Sequence, residues 1–136
     1  MSNYQAIPTL SYRDADAAVE FLSKAFGFKI ETIFRDETGK ILHAELSMGK
    51  AYIMLGTAEN RSDLGRFTRT PNEIQGINSQ TPYIIPEDID DHYKKAQAYG
   101  AEMVIALREE EYGNRRYTCR DTEGHIWNFG TYSPFS

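Results

Sequence analysis

Asp14-Ala-Asp-Ala-Ala-Val-Glu-Phe-Leu-Ser-Lys-Ala-Phe-Gly27 and Asp88-Ile-Asp-Asp-His-Tyr-Lys-Lys-Ala-Gln-Ala-Tyr-Gly100 tell nearly the same story twice. Each opens on aspartates able to cap free backbone N–H groups and ends at a glycine, the residue that takes the left-handed C′ conformation without a Cβ penalty. In the first, Ala18, Val19, Phe21, Leu22, Ala25 and Phe26 form one apolar stripe at helical spacing. Each helix follows a short apolar run and precedes three strand-like runs, so the chain reads as two βαβββ units in tandem.

Working outward, Ala6 to Ser11 is expected as the first strand, with strands at 29–34, 41–48 and 51–55 completing the first unit. The second unit has strands at 81–85, 102–106, 114–120 and 125–132, with its helix over 89–99. Arg35-Asp-Glu-Thr-Gly39 and Arg120-Asp-Thr-Glu-Gly124 look alike, but they stand at different distances from their helix-ending glycines. They are read as one turn chemistry used in two different hairpins. Residues 56–80 show neither period; they carry Pro71, glycines and three arginines, and are expected to connect the units and to act as a lid.

Composition excludes several classes. The 136 residues, 40% of them hydrophobic, make one domain with a real core: residues 1–136, with module 1 at 5–56, a connector at 57–80 and module 2 at 81–133. A formal net charge of −5 argues against nucleic acid and anionic membrane surfaces as partners, since both need a positive field. Cys119 is the single cysteine, so an internal disulfide is impossible and a reducing, cytoplasmic setting is expected. It reads as a small buried apolar residue, not a nucleophile. No apolar run is long enough for a membrane span.

A tandem βαβββ layout of this size resembles the vicinal oxygen chelate superfamily of glyoxalases, extradiol dioxygenases, fosfomycin-resistance enzymes and bleomycin-binding proteins. The stretches His43-Ala-Glu-Leu46, Tyr52-Ile-Met-Leu-Gly56 and Gly113-Asn-Arg-Arg-Tyr117 through Gly130 carry the likeness, in the manner of an uncharacterised glyoxalase-like branch. The resemblance implies an α+β fold whose modules form a curved mixed sheet around a cavity, and a homodimer. It also implies metal ligands on the first and fourth strand of each module, which here fall near Ile7, on Met54, on Thr81 and on Asn128. None is a good ligand for a divalent ion, so no cofactor is expected.

His43 and Glu45, two apart on a strand, share a face and form the one candidate for a displaced metal site; they equally suit direct ligand contact or mutual pairing. His92 is read on the polar side of its helix and His125 in a turn. Alternation from Met54 and Asn128 places Tyr52, Thr81 and Tyr83 on the cavity face with Arg116, and turns Trp127 and Phe129 into the core. Glu109, Glu110 and Glu111 read as a solvated hairpin tip, beside which Tyr112 folds over the cavity mouth. With His43, Glu45 and the lid residue Arg66, these make the candidate ligand-binding set for a flat, partly aromatic small molecule. Three functions follow: a metal-free binder of sequestration or resistance type, a metal-dependent lyase, isomerase or dioxygenase with displaced ligands, and a metal-free enzyme with Glu45 as general base.

Overall fold

The structure is a computed structural model and describes residues 2–135. Met1 and Ser136, at the ends of the expected single domain, lie outside the described residues. The first helix, α1 (Ala15–Phe26), is capped by Asp14, whose carboxylate accepts from Ala17 N at 3.0 Å. It ends on Gly27 at φ 84°, where the N–H groups of Gly27 and Phe28 turn back to Ser23 O and Leu22 O. Its buried stripe is Ala15, Ala18, Val19, Leu22, Ala25 and Phe26; Phe21 stays partly buried beside it. The second helix, α2 (Ile89–Ala98), repeats the design, with Asp88 accepting from Asp91 N and Gly100 at φ 92° just beyond its end.

Each helix sits over a mixed four-stranded sheet. In the first, β1 (Thr9–Tyr12) runs parallel to β4 (Ala51–Thr57), followed by β3 (Ile41–Met48) and β2 (Lys29–Arg35) in antiparallel order. In the second, β5 (Tyr83–Ile84) runs parallel to β8 (Ile126–Gly130), followed by β7 (Arg115–Arg120) and β6 (Glu102–Glu109). The order is identical in both, as expected for a tandem repeat, and among the described residues no strand pair joins the two sheets. The expected strand 81–85 shrinks to two residues because Pro82 and Pro86 on either side lack the N–H a ladder needs.

The two units share one core. α1 packs on α2, and the Phe26 ring meets Trp127 at 5.6 Å and Phe129 at 4.9 Å across the boundary. Trp127 and Phe129 are fully buried, so the alternation argument for them holds, and Tyr117 and Cys119 are fully buried beside them. His92, expected on the polar side of α2, is instead buried. It lies on the stripe of Ile89 and Ala96, with Nδ1 2.6 Å from Tyr117 Oη and Nε2 2.8 Å from Phe26 O. The last carbonyl of α1, that of Phe26, and one tyrosine hydroxyl thus find their partner in a single imidazole.

The repeated turn chemistry is present. Asp36 Oδ1 accepts from Thr38 N and Lys40 N; Asp121 Oδ1 accepts from Glu123 N and His125 N. In the second turn the other carboxylate oxygen, Oδ2, takes Tyr12 Oη–H at 2.6 Å and Trp127 Nε1–H at 3.0 Å, tying β1 to the second unit. Glu123 adds to this tie: its two carboxylate oxygens accept from Arg13 N and Asp14 N at the entrance to α1.

The connector differs from the expected free lid. It contains two short 3-10 turns, Gly65–Phe67 and Pro71–Ile74, and the second begins with a capping box between Thr70 and Glu73. Its later part is strapped to the β7–β8 turn: Asn78 bonds Gly124 O and Ile126 N, Arg120 donates to Gly76 O and Gly124 O, and Asn72 N bonds Glu123 O.

Candidate functional site

Strand alternation divides each sheet into a helix-covered face and an open one. On β4, Ile53 and Leu55 are buried while Tyr52, Met54 and Gly56 point away from α1. Cross-strand pairing carries this over: Glu45 lies opposite Met54, Ser47 opposite Tyr52, and Phe34 of β2 opposite His43. The first open face therefore holds His43, Glu45, Tyr52 and Met54 together, as expected from alternation. Phe34 is an addition legible by the same rule. On the second sheet Asn128, Thr118 and Arg116 share the open face, with Tyr83 opposite Asn128.

His43 and Glu45 pair with each other, Nε2 to Oε2 at 2.9 Å, each about one-third exposed. The Phe34 ring stacks at 6.2 Å from the imidazole on the outer side. Nearby, Ser47 donates to Glu31 Oε2 at 2.6 Å, Glu31 standing where the β2–β3 register shifts. The result is an apolar face with one imidazole and two carboxylates, a suitable floor for hydrogen-bond donors on a flat molecule.

The divalent ion implied by the resemblance does not fit the residues present. Ile7 has no donor, Met54 offers a thioether, and Thr81 lends its carbonyl to Asn128. The Asn128 oxygen already accepts from Thr118 Oγ1 at 2.8 Å. Hard cations select anionic oxygen, and these four positions supply none. Among the described residues no three His, Cys, Asp or Glu side chains group to hold an ion, and His43 with Glu45 remains a pair without a third member.

On the second face, Tyr83 Oη donates to Tyr132 O at 2.8 Å, and Arg116 Nε lies 2.7 Å from Glu110 Oε1. Tyr83 and Arg116 line a cavity of about 500 Å³ with Tyr112 and Tyr132. Glu110, read as part of a solvated tip, is therefore an ion-pair partner, with Arg108 at 3.5 Å on its other oxygen. Tyr132 and Glu110 were not legible as site residues, since only the packing of the C-terminal segment and the β6–β7 hairpin brings them to Tyr83. Thr81 lines a separate small cleft with Pro8 and Pro82. Arg66 lies over the Phe67 ring at 5.3 Å and lines neither of these cavities.

The perturbed acidities of Cys119 and His92 belong to buried groups, neither of them on an open face. Burial pushes the Cys119 thiol up to about 12, in keeping with an inert side chain. Burial lowers the His92 pKa below its ordinary value, so the imidazole between Tyr117 and Phe26 is held neutral.

The family model of the Glyoxalase/Bleomycin resistance protein/Dioxygenase superfamily matches residues 6–129. An uncharacterised protein of Mycobacterium bovis is 29% identical over 123 residues, covering 90% of this chain and 80% of its own length. The crystal structure of TioX from Micromonospora sp. ML1 superposes with a TM-score of 0.75 at 28% identity, covering 96% of this chain and all of the other. The fosfomycin resistance protein FosX of Listeria monocytogenes superposes at 0.70 with 14% identity over 98% of this chain and 97% of its own, a likeness of fold. No helix among the described residues is long and apolar enough to cross a membrane.

Proposed function

The chain belongs to the glyoxalase/bleomycin resistance protein/dioxygenase superfamily, and from that premise we propose that it is a metal-independent binder of a small, flat, aromatic molecule, of sequestration or resistance type. The observation that carries this reading is the donor chemistry at the four family positions: Ile7, Met54, Thr81 and a hydrogen-bonded Asn128 stand where an ion needs anionic oxygen or imidazole. What surrounds them suits an organic ligand: the rings of Phe34, Tyr52 and Tyr83, a polarizable Met54, and the polar groups His43, Glu45 and Arg116. The reading takes the protein to be a cytoplasmic homodimer. The openness of the faces supports a partner copy, with Phe34 58% and Tyr52 41% exposed in the single chain.

Metal content and thermal shift, measured on one purified sample before and after chelator, test this reading. It expects no stoichiometric ion and no shift with any divalent cation, together with stabilisation by at least one flat aromatic compound. A bound ion whose removal lowers Tm, and whose effect is lost in His43→Ala, refutes it.

The contact between His43 and Glu45 favours a second reading, a metal-free enzyme with Glu45 as general base. The imidazole orients the carboxylate, and a proton taken by one is shared with the other. This reading expects Glu45→Gln to keep the fold and ligand affinity while turnover is lost. Recovery of the ligand unchanged after prolonged incubation with wild type removes it for that ligand.

A further inference from the structure

The cavity on the second sheet has features that a general aromatic binder does not require. Three of its walls are tyrosines: Tyr83 from β5, Tyr132 beyond β8, and Tyr112 at the tip of the β6–β7 hairpin. Tyr112 takes φ 59° and ψ 31°, a left-handed conformation that costs a residue with a Cβ about 1 kcal/mol. In return its ring gains nothing within the chain: it is 97% exposed and its hydroxyl has no partner among the described residues. A large aromatic held out on strained backbone at the mouth of a cavity is placed to close on something planar.

The floor adds a charge. Arg116 Nε is buried and forms an ion pair with Glu110 Oε1 at 2.7 Å, at an approach too oblique for a hydrogen bond. The Nη groups of Arg116 likewise make no hydrogen bond to any described residue. The neighbouring cations differ. Arg115 spends its fork on Asp90 with bonds of 2.9 and 2.8 Å, and Arg108 sits at 3.5 Å from the second oxygen of Glu110. Glu110 is thus shared by two arginines, and Arg116 keeps donor capacity facing the cavity. A guanidinium with free parallel N–H groups selects a carboxylate or a similar oxyanion.

We infer that this cavity is the ligand subsite, and that its ligand is a planar aromatic acid, with the ring between Tyr112 and the Tyr83–Tyr132 wall and the anionic oxygens on Arg116. The inference rests on the binder reading above and narrows it to one locus and one chemical class. Glu111, exposed at the hairpin tip, would favour a cation only weakly because solvent screens it.

The test uses 2-naphthoate as probe, with the neutral 2-naphthamide and the cationic 2-naphthylmethylammonium beside it, measured by calorimetry and by amide chemical shifts. Naphthoate is expected to bind about tenfold or more tighter than the amide, with shifts at Tyr83, Tyr112 and Arg116. Arg116→Gln should bring naphthoate to the affinity of the amide and leave the amide unchanged. Glu110→Gln, which frees the guanidinium, should tighten naphthoate about threefold or more, a gain that general damage to the hairpin does not produce. Tyr112→Ala should weaken acid and amide alike, about fivefold. Equal affinity for acid and amide, preference for the ammonium, absence of binding by all three, or indifference to both Arg116→Gln and Glu110→Gln overturns the inference. If binding instead shifts residues around His43 and Tyr52, this locus is wrong while the binder reading stands. If a wide panel of flat aromatics shifts nothing, that reading falls too.

Discussion

Removing one oxygen atom, in Tyr12→Phe, tests the tie between the two units directly. Tyr12 is fully buried and its hydroxyl donates to Asp121 Oδ2 at 2.6 Å, a short bond to a carboxylate. Burial, with the charge of Asp121 adding to it, raises the Tyr12 pKa well above its ordinary value, so the hydroxyl keeps its proton and serves as donor at any working pH. A buried bond to a charged acceptor contributes about 1.5 to 3 kcal/mol, and the phenylalanine ring fills the same space, so no cavity term is added. For a chain of this size about 3 to 4 °C is lost per kcal/mol, which puts the drop in Tm at about 5 to 12 °C. Asp121→Asn is expected to cost more, about 3 kcal/mol or above. Four donors converge on this carboxylate, namely Tyr12 Oη, Trp127 Nε1, Glu123 N and His125 N, and an amide offers only one oxygen to them. Urea titrations followed by circular dichroism on wild type, both single variants and the double variant close a cycle. The coupling energy should exceed about 1 kcal/mol. A loss below about 0.5 kcal/mol in Tyr12→Phe, or a coupling near zero, refutes the claim that this hydroxyl holds the units together.

Other expectations follow from particular groups. His92 has a folded pKa below its ordinary value, so the unfolded chain binds more protons as pH falls through about 6.5. Stability should be full above that pH and decline below it, and His92→Gln should flatten the decline measured by thermal melts between pH 7 and pH 5. Cys119, with its thiol pushed up to about 12, should be inert to Ellman's reagent at pH 8 in the native protein and react on unfolding; rapid native reaction would contradict its burial. The Arg13 guanidinium bonded to Glu73, aided by Thr70 N, holds that carboxyl down at about 2, so carboxyl NMR titration should show Glu73 ionised to near that pH and Arg13→Ala should raise its midpoint. Gly65→Ala would place a methyl 1.8 Å from Glu59 O, and repositioning that backbone should cost about 1 to 3 kcal/mol in a denaturation curve.

The helices, the succession of elements along the chain and the core faces were legible because local periods report them. An apolar stripe between an aspartate and a glycine has one reading, and a two-residue period assigns Trp127 and Phe129 inward from Asn128 without any knowledge of their neighbours. Strand lengths were less so. β6 runs on to Glu109 because Arg108 and Glu109 find partners in Arg116 and Arg115 across two register shifts, and a charged run gives no hint of that. His92 shows the limit of reading by residue type. Its spacing from Ile89 and Ala96 is that of a buried position, yet its acceptors and donors come from Phe26 and Tyr117, far away in the chain. The same holds for the candidate site. Residues sharing a strand, such as His43 with Glu45, were found together, whereas Arg116, Glu110, Tyr112 and Tyr132 meet only through the hairpin and the C-terminal segment.

The entrance to the first helix depends on residues made more than a hundred positions later. The backbone N–H groups of Arg13 and Asp14 are satisfied by Glu123, the hydroxyl of Tyr12 by Asp121, and Ser11 O by the His125 imidazole. During synthesis the first βαβββ unit therefore leaves the ribosome with one edge of its opening strand and helix still unmatched. It can collapse, but it cannot settle until the last hairpin arrives. Chains cut before residue 121 should be short-lived in cells, and among chains of successive lengths arrested behind an added C-terminal linker that spans the exit tunnel, protease resistance should rise in one step once the 121–127 segment is included.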